Sequence, residues 1–191
     1  MRVTRILLAV AGLAVLPVAM PAQAPSAPTV VIVVRHAEKA AAPAADPPLT
    51  DAGVARARAL AAAVAAAHVD AVITTQLTRT RETARPAAEA RGLPMETVPT
   101  GGTTAEHAAR VATAVRKHRG HTVLVVGHSN TVTAIIAALG GPALPELCDS
   151  QYSTLFTLVL DGPTARLVTS TYGAPSPDVA TGCPTMRGGP P

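Results

Sequence analysis

The chain has 191 residues, room for one domain with a proper core, and 48% are apolar while only 2% are aromatic, so that core is built mainly from Val, Leu, Ile and Ala. The formal net charge of +4 falls to +2 once residues 1–24, which hold Arg2 and Arg5 and no acid, are set aside. With no Lys/Arg run and no basic stretch interleaved with aromatics, nothing in the composition supports a nucleic-acid partner.

In chain order, the first segment stands apart from the core. Arg2 and Arg5 precede an apolar stretch from Ile6 to Leu16, and Ala22-Gln23-Ala24 offers small residues at the spacing a signal peptidase reads. The stretch falls short of the roughly 18 residues of a membrane span, so residues 1–24 read as a secretory signal and export to a periplasm or the exterior is expected. An uncleaved N-terminal anchor is the alternative reading. Pro25 is a poor follower of a cut, which places the true site within a residue or two. No cysteine lies near it, so no lipid anchor is expected. Residues 25–28 then form a linker, 29–173 the domain, and 174–191 a Pro/Gly-rich tail.

Val30 to Val34 reads as a strand buried on both faces, as parallel strands are, and it stops abruptly at Arg35-His36. After an Ala/Pro-rich loop over residues 40–48, Thr50 caps an alanine-rich helix running to about His68. Asp70 to Thr75 is a second strand, and Thr78 to about Arg91 a second helix ended by Gly92. Thr104 to Arg119 is a third helix, stopped by Gly120. The run TVLVVGHSNT repeats the opening theme: a buried strand, Thr122 to Val126, delivers Gly127-His128, and a helix follows from Thr131 to Leu139. Thr154 to Leu160 and Ala165 to Thr171 form a hairpin across Asp161-Gly162. Such alternation predicts a three-layer α/β/α sandwich around a mostly parallel central sheet. Ligands of such sheets bind beyond the carboxyl ends of the strands, where Arg35-His36 and Gly127-His128 stand.

The segment from Thr75 to Ala84 brings a third element to that edge, because it puts Arg79 in the first turn of a helix, where guanidinium and unpaired N–H groups both favour an anion. Arg81 and Arg85 fall elsewhere around the helix as surface charges. Two arginines and two histidines without a cluster of acids do not make a metal site. They suit a phosphate dianion, which arginine grips in a bidentate fork, and nearby arginines keep a histidine unprotonated and able to attack phosphorus.

These residues resemble the histidine phosphatases, the superfamily that includes phosphoglycerate mutases. The family's Arg-His-Gly is similar to Arg35-His36-Ala37, its Leu-Thr-x-x-Gly helix start to Leu49-Thr50-Asp51-Ala52-Gly53, its Ser-x-Leu-x-Arg-Ala-x-x-Thr-Ala segment to Thr75–Ala84, and its Gly-His pair to Gly127-His128. The similarity runs from about Val30 to Leu160. It implies a metal-independent phosphatase of the histidine acid phosphatase type, with no cofactor and a phosphorylated substrate. His36 would be the nucleophile, forming a phosphohistidine, and Arg35, Arg79 and His128 would hold the phosphoryl oxygens.

The pattern has departures. Ala37 stands where the family has glycine, so the backbone there must take an ordinary φ. Many members carry a glutamate proton donor some way beyond the second arginine, and Glu106 is near that spacing. Yet Thr103-Thr104-Ala105-Glu106 also reads as a capping box, which is the stronger reading. Glu38 is a further donor candidate, although its neighbour Lys39 suggests a loop charge pair. Without a donor, the substrate needs a good leaving group, as aryl phosphates and phosphoramidates such as phosphohistidine have. Asn130 can add a hydrogen bond to substrate, although a helix cap is the competing reading. His68, His107, His118 and His121 are given no role.

No long insertion stands between Gly92 and Thr103, so an open cavity and hydrolysis are expected rather than mutase chemistry. Cys148 and Cys183 are expected to bridge, tying the tail to the domain and contributing between ~3 and ~4.7 kcal/mol, with a pair of buried free thiols as the alternative. Two other functions compete. Val125 to Thr131 looks like a nucleophile elbow carrying Ser129, but its last position is not glycine, and no histidine follows His128 to complete a serine hydrolase. A noncatalytic module gripping phosphorylated ligands would need the arginines but not both histidines.

Overall fold

The computed structural model describes residues 27–161 and 164–176; the proposed signal over 1–24, Cys183 and the tail from 177 onward lie outside these residues. One six-stranded sheet forms the centre. Its strands are β1 (Thr29–Arg35), β2 (Ala71–Thr74), β3 (Met95–Thr97), β4 (Thr122–Gly127), β5 (Thr154–Asp161) and β6 (Thr164–Thr171), in the order β3-β2-β4-β1-β5-β6. The first four in that order run parallel, and the β5–β6 hairpin adds antiparallel to β1. Between them come the helices α1 (Asp51–Val64), α2 (Thr78–Ala90), α3 (Thr104–Arg116) and α4 (Val132–Ala138).

The alternation of side chains along β1 decides which helix lies on which face. Val31 and Val33 share one core with Val111, Ala112 and Val115 of α3 and with Val132, Ile135 and Ile136 of α4. Ile32 and Val34, pointing the other way, share a second core with Leu60 and Val64 of α1 and Ala84, Ala87 and Ala88 of α2. Two cores on opposite faces make the expected three-layer α/β/α sandwich. Element ends shift slightly: α1 gives way to a 3₁₀ turn at Ala65–Ala67 before His68 at φ 49°, and α3 ends at Arg116 rather than Arg119. The sequence reading contains no β3, whose three residues are partly exposed and too few for an alternating pattern.

Two contacts fix the loop that leaves β1. Thr50 caps α1 by accepting from the Gly53 N–H at 3.1 Å, and its own N–H donates to the Glu38 carbonyl at 3.0 Å. A Cβ on Gly53 would lie 2.2 Å from that carbonyl oxygen, so the helix start approaches the loop backbone as only glycine permits. The Glu38 carboxylate is held not by Lys39 but by Arg56 of α1, whose Nε reaches both oxygens at 2.9 Å and whose Nη2 reaches Oε1 at 2.7 Å. Buried Arg56 also donates to the Tyr172 carbonyl, stitching the loop, the helix and the segment after β6 together. Among the described residues, no helix is long and apolar enough to cross a membrane.

Candidate active site

Strands β1 and β4 lie side by side in parallel with Arg35 opposite Gly127, and the His36 N–H donates to the Gly127 carbonyl at 2.9 Å. The residues that follow each strand therefore emerge at one point. The His36 and His128 rings meet edge-on with centroids 5.4 Å apart, and both residues are buried.

His36 Nδ1 donates to the Ala37 carbonyl at 2.8 Å, which leaves the unprotonated lone pair on Nε2 in the neutral ring. Burial, with the positive field of His128, Arg35 and Arg79 acting in the same sense, holds this imidazole well below the ordinary histidine value despite its bond to Ala37. Ala37 is not among the residues with positive φ, and its N–H donates to Thr83 Oγ1 at 2.9 Å. Thr83 in turn donates to the Arg79 carbonyl at 2.7 Å, so the threonine of the Thr75–Ala84 segment locks the histidine loop onto α2.

His128 is pushed down to about 3 by burial first and then by Arg79, His107 and Arg35. Its Nε2 pairs with Thr75 Oγ1 at 3.3 Å, while its Nδ1 is buried without a hydrogen-bond partner. Arg79 Nε is in the same condition. Arg79 stands in the first turn of α2 as the sequence predicts, but the helix N-terminus is not open to an outside anion. The chain's own Asp46, from the loop after β1, accepts from the Thr78 N–H at 3.0 and 3.1 Å and from Thr78 Oγ1 at 2.7 Å, and it lies 3.8 Å from Arg79 Nη1.

Arg35 is largely committed to protein groups. Its Nη1 donates to the carbonyls of Cys148, Asp149 and Gln151 at 2.9, 3.0 and 3.3 Å, and its guanidinium lies 4.1 Å over the Tyr152 ring. Nε alone is buried without a partner. Orphaned polar atoms on Arg35, Arg79 and His128, two guanidinium N–H donors and one ring nitrogen, thus stand by the histidine pair, a polar deficit that buried groups rarely carry without a ligand.

Arg79, His107, His128 and Asn130 line a cavity of about 240 Å³ with the turn between Thr100 and Thr104. Asn130 makes no cap: α4 starts from Thr131, which accepts the His128 N–H at 2.9 Å. A larger cavity of about 580 Å³ opens at the other ends of the strands, between Thr29, Arg116, Arg119 and Leu160, far from both histidines of the pair and containing no histidine of its own.

Comparison with known proteins agrees with this layout. A family model described as histidine phosphatase superfamily (branch 1) matches residues 31–100, the stretch holding Arg35, His36 and Arg79. YhfR of Bacillus stearothermophilus superposes with a TM-score of 0.59 at 20% identity, covering 73% of this chain and 95% of its own. The protein histidine phosphatase SixA, complexed with tungstate, gives 0.59 at 19% over 74% and 96%. The chain has the histidine phosphatase fold. A mycobacterial glucosyl-3-phosphoglycerate phosphatase, Rv2419c, is similar with a TM-score of 0.57 at 17% identity over 76% and 99%. No curated protein matches the sequence significantly.

Within this histidine phosphatase fold the serine-elbow reading loses its geometry, because Ser129 is 1% exposed and its Oγ is bonded to no base. Glu106 is not in the cavity. Its Oε2 accepts the Thr103 N–H at 2.7 Å while its own N–H donates to Thr103 Oγ1, so the capping box is what the structure builds. Cys148 is buried beside the carbonyls that hold Arg35; its expected partner Cys183 lies outside the described residues. Asp46, Thr83 and Tyr152 were not singled out in the sequence, the last with its ring 6.2 Å from that of His36, and His107, given no role there, stands on the cavity wall. Of these only Thr83 had a signal, as the threonine of the motif segment.

Proposed function

We propose that this chain is an exported phosphatase that hydrolyses phosphomonoesters, or phosphoramidates such as phosphohistidine, through a phosphohistidine formed at His36 Nε2. The observation that carries the reading is the tautomer. With Nδ1–H spent on the Ala37 carbonyl, the neutral ring offers Nε2 as a nucleophile beside two unpartnered donors, Arg35 Nε and Arg79 Nε, and the unpartnered ring nitrogen Nδ1 of His128. Those donors suit the equatorial oxygens of a phosphoryl group in transfer, where catalysis is positioning and electrostatics. Tungstate, an oxyanion of phosphate's shape, occupies the structure of the similar SixA, and inorganic phosphate that of Rv2419c.

Attack by the Nε2 lone pair forms the N–P bond as the P–O bond to the leaving group breaks. Water then cleaves the N–P bond and releases inorganic phosphate. None of these steps requires a divalent cation, and among the described residues no group of three or more His, Cys, Asp and Glu is placed to hold one. Asn130, on the wall of the cavity, is assigned to the substrate. The test is a phosphatase assay in chelator over a panel of phosphoesters, with His36→Ala as control and the acid-labile phosphoenzyme trapped by rapid quench. Turnover that survives His36→Ala would sink the reading. Phosphoenzyme-free binding of phosphate by wild type would instead indicate a noncatalytic phospholigand module, and rapid exchange of phosphate between the positions of phosphoglycerate a mutase. Export is tested by sequencing the N-terminus of the protein recovered from outside the cytoplasm; a start near residue 25 is expected.

A further inference from the structure

His107 is buried in a way that core packing does not explain. It begins the inward stripe of α3 that continues through Val111 and Val115, so a polar ring occupies a place that apolar side chains fill further along. The capping box is what puts it there. Consecutive helix residues point about 100° apart, so a helix that turns Glu106 outward to its own N-terminus turns the next residue toward the sheet. The ring is 3% exposed and forms part of the wall of the 240 Å³ cavity with Arg79, His128 and Asn130. Its Nδ1 meets the Pro99 carbonyl at 3.2 Å, and a carbonyl only accepts, so the proton sits on Nδ1. Its Nε2 is buried with no hydrogen-bond partner.

We propose that His107 is the acid–base group of this site, giving the proton from Nε2 to the leaving-group oxygen and then taking one from the attacking water. The inference rests on the phosphatase reading above and supplies the proton donor that Glu106, fully engaged in its cap, does not. The Pro99 carbonyl suits both roles, since Nδ1–H donates to it whether or not Nε2 is protonated, and the ring need not turn between steps. Burial first, and the nearby Arg110, hold His107 below the ordinary histidine value. A phosphate dianion in the cavity reverses that balance and favours the imidazolium.

The steps balance. As His36 Nε2 attacks phosphorus, the P–O electron pair leaves with the substrate oxygen, which takes the His107 Nε2 proton and departs as an alcohol. The neutral His107 then accepts a proton from water as its oxygen bonds to phosphorus, the N–P electron pair returns to His36, and inorganic phosphate leaves with His107 protonated once more. With such a donor, the substrate class extends beyond activated esters to ordinary alkyl phosphomonoesters.

The test compares kcat/KM for a series of alkyl and aryl phosphates of graded leaving-group pKa. His107→Asn keeps an amide N–H for the Pro99 carbonyl and removes Nε2; His107→Gln is the second variant should the first melt early. Expected is a loss of roughly 100-fold or more on alkyl phosphates, with less than about tenfold on 4-nitrophenyl phosphate, and therefore a steeper leaving-group dependence. Glu106→Gln should leave that dependence as in wild type. Equal losses on both substrate types in a variant that melts with wild type, or no loss at all, would overturn the role of His107 while leaving the phosphohistidine reading intact. A wild type that hydrolyses no ester in the series defeats both.

Discussion

Acidification from about pH 7.5 to about pH 5.5 in phosphate-free buffer is expected to weaken the fold through its buried histidines. His36 and His128 are 2% and 5% exposed, and the structure holds each neutral in its folded state, His128 down to about 3. In the unfolded chain each titrates near the ordinary value of about 6.5. The folded values lie below the unfolded one, so the unfolded chain binds the extra protons. The contribution is complete above about pH 6.5 and is lost as pH falls from there toward the folded values. Over the chosen interval one such histidine costs about 1.4 kcal/mol, and the pair about 2.7 kcal/mol. His107 adds loss of the same sign. The carboxylates follow the same sign in a lower window, since a depressed folded value again means that the unfolded chain binds the extra protons. Glu38, Asp46 and Glu96 are held below their usual values, so their contribution persists until pH falls through the carboxylate range near ~4. The interval thus isolates the histidines. Urea unfolding at the two pH values measures the difference, and His128→Asn should remove about half of it. A stability that is flat or rises on acidification would refute neutral burial, and with it the supply of an unprotonated nucleophile.

Three further outcomes follow from single contacts. Gly53→Ala forces a methyl to within 2.2 Å of the Glu38 carbonyl and should cost more than about 2 kcal/mol in urea unfolding, with a fall in kcat because the displaced loop carries His36. Glu106→Gln weakens the capping box and should lower the urea midpoint slightly, since a neutral amide accepts the Thr103 N–H less strongly and interacts less with the helix dipole. Thiol titration of unreduced protein in denaturant should find no free thiol if Cys148 and Cys183 are bridged; two reactive thiols would reject that pairing.

The sandwich was legible because its strands announce themselves. Two runs of β-branched residues, each ending in a histidine, sit between capped and glycine-stopped helices, and burial on both faces of β1 and β4 follows directly from their unbroken apolarity. Arg79 was legible for a similar reason, standing a fixed distance into the helix that follows a recognisable strand. Strand β3 was not, because three partly exposed residues paired only with β2 carry no period of their own.

What the sequence alone determined is the chemistry of the strand ends, because residue type and element boundary are local properties: arginine, histidine, glycine and threonine at the edge of a parallel sheet. What tertiary structure decided is which of them face one another and which are already spent. Pairing of β1 with β4 brings the rings of His36 and His128 together, the 148–152 segment absorbs most of Arg35, Asp46 reaches across from another loop to close the start of α2, and helical rotation turns His107 rather than Glu106 toward the cavity. The first three are long-range contacts set by where whole elements pack, which no window of neighbouring residues encodes; the capping box sets locally which way His107 faces, but only the packing of α3 against the sheet makes that direction the cavity.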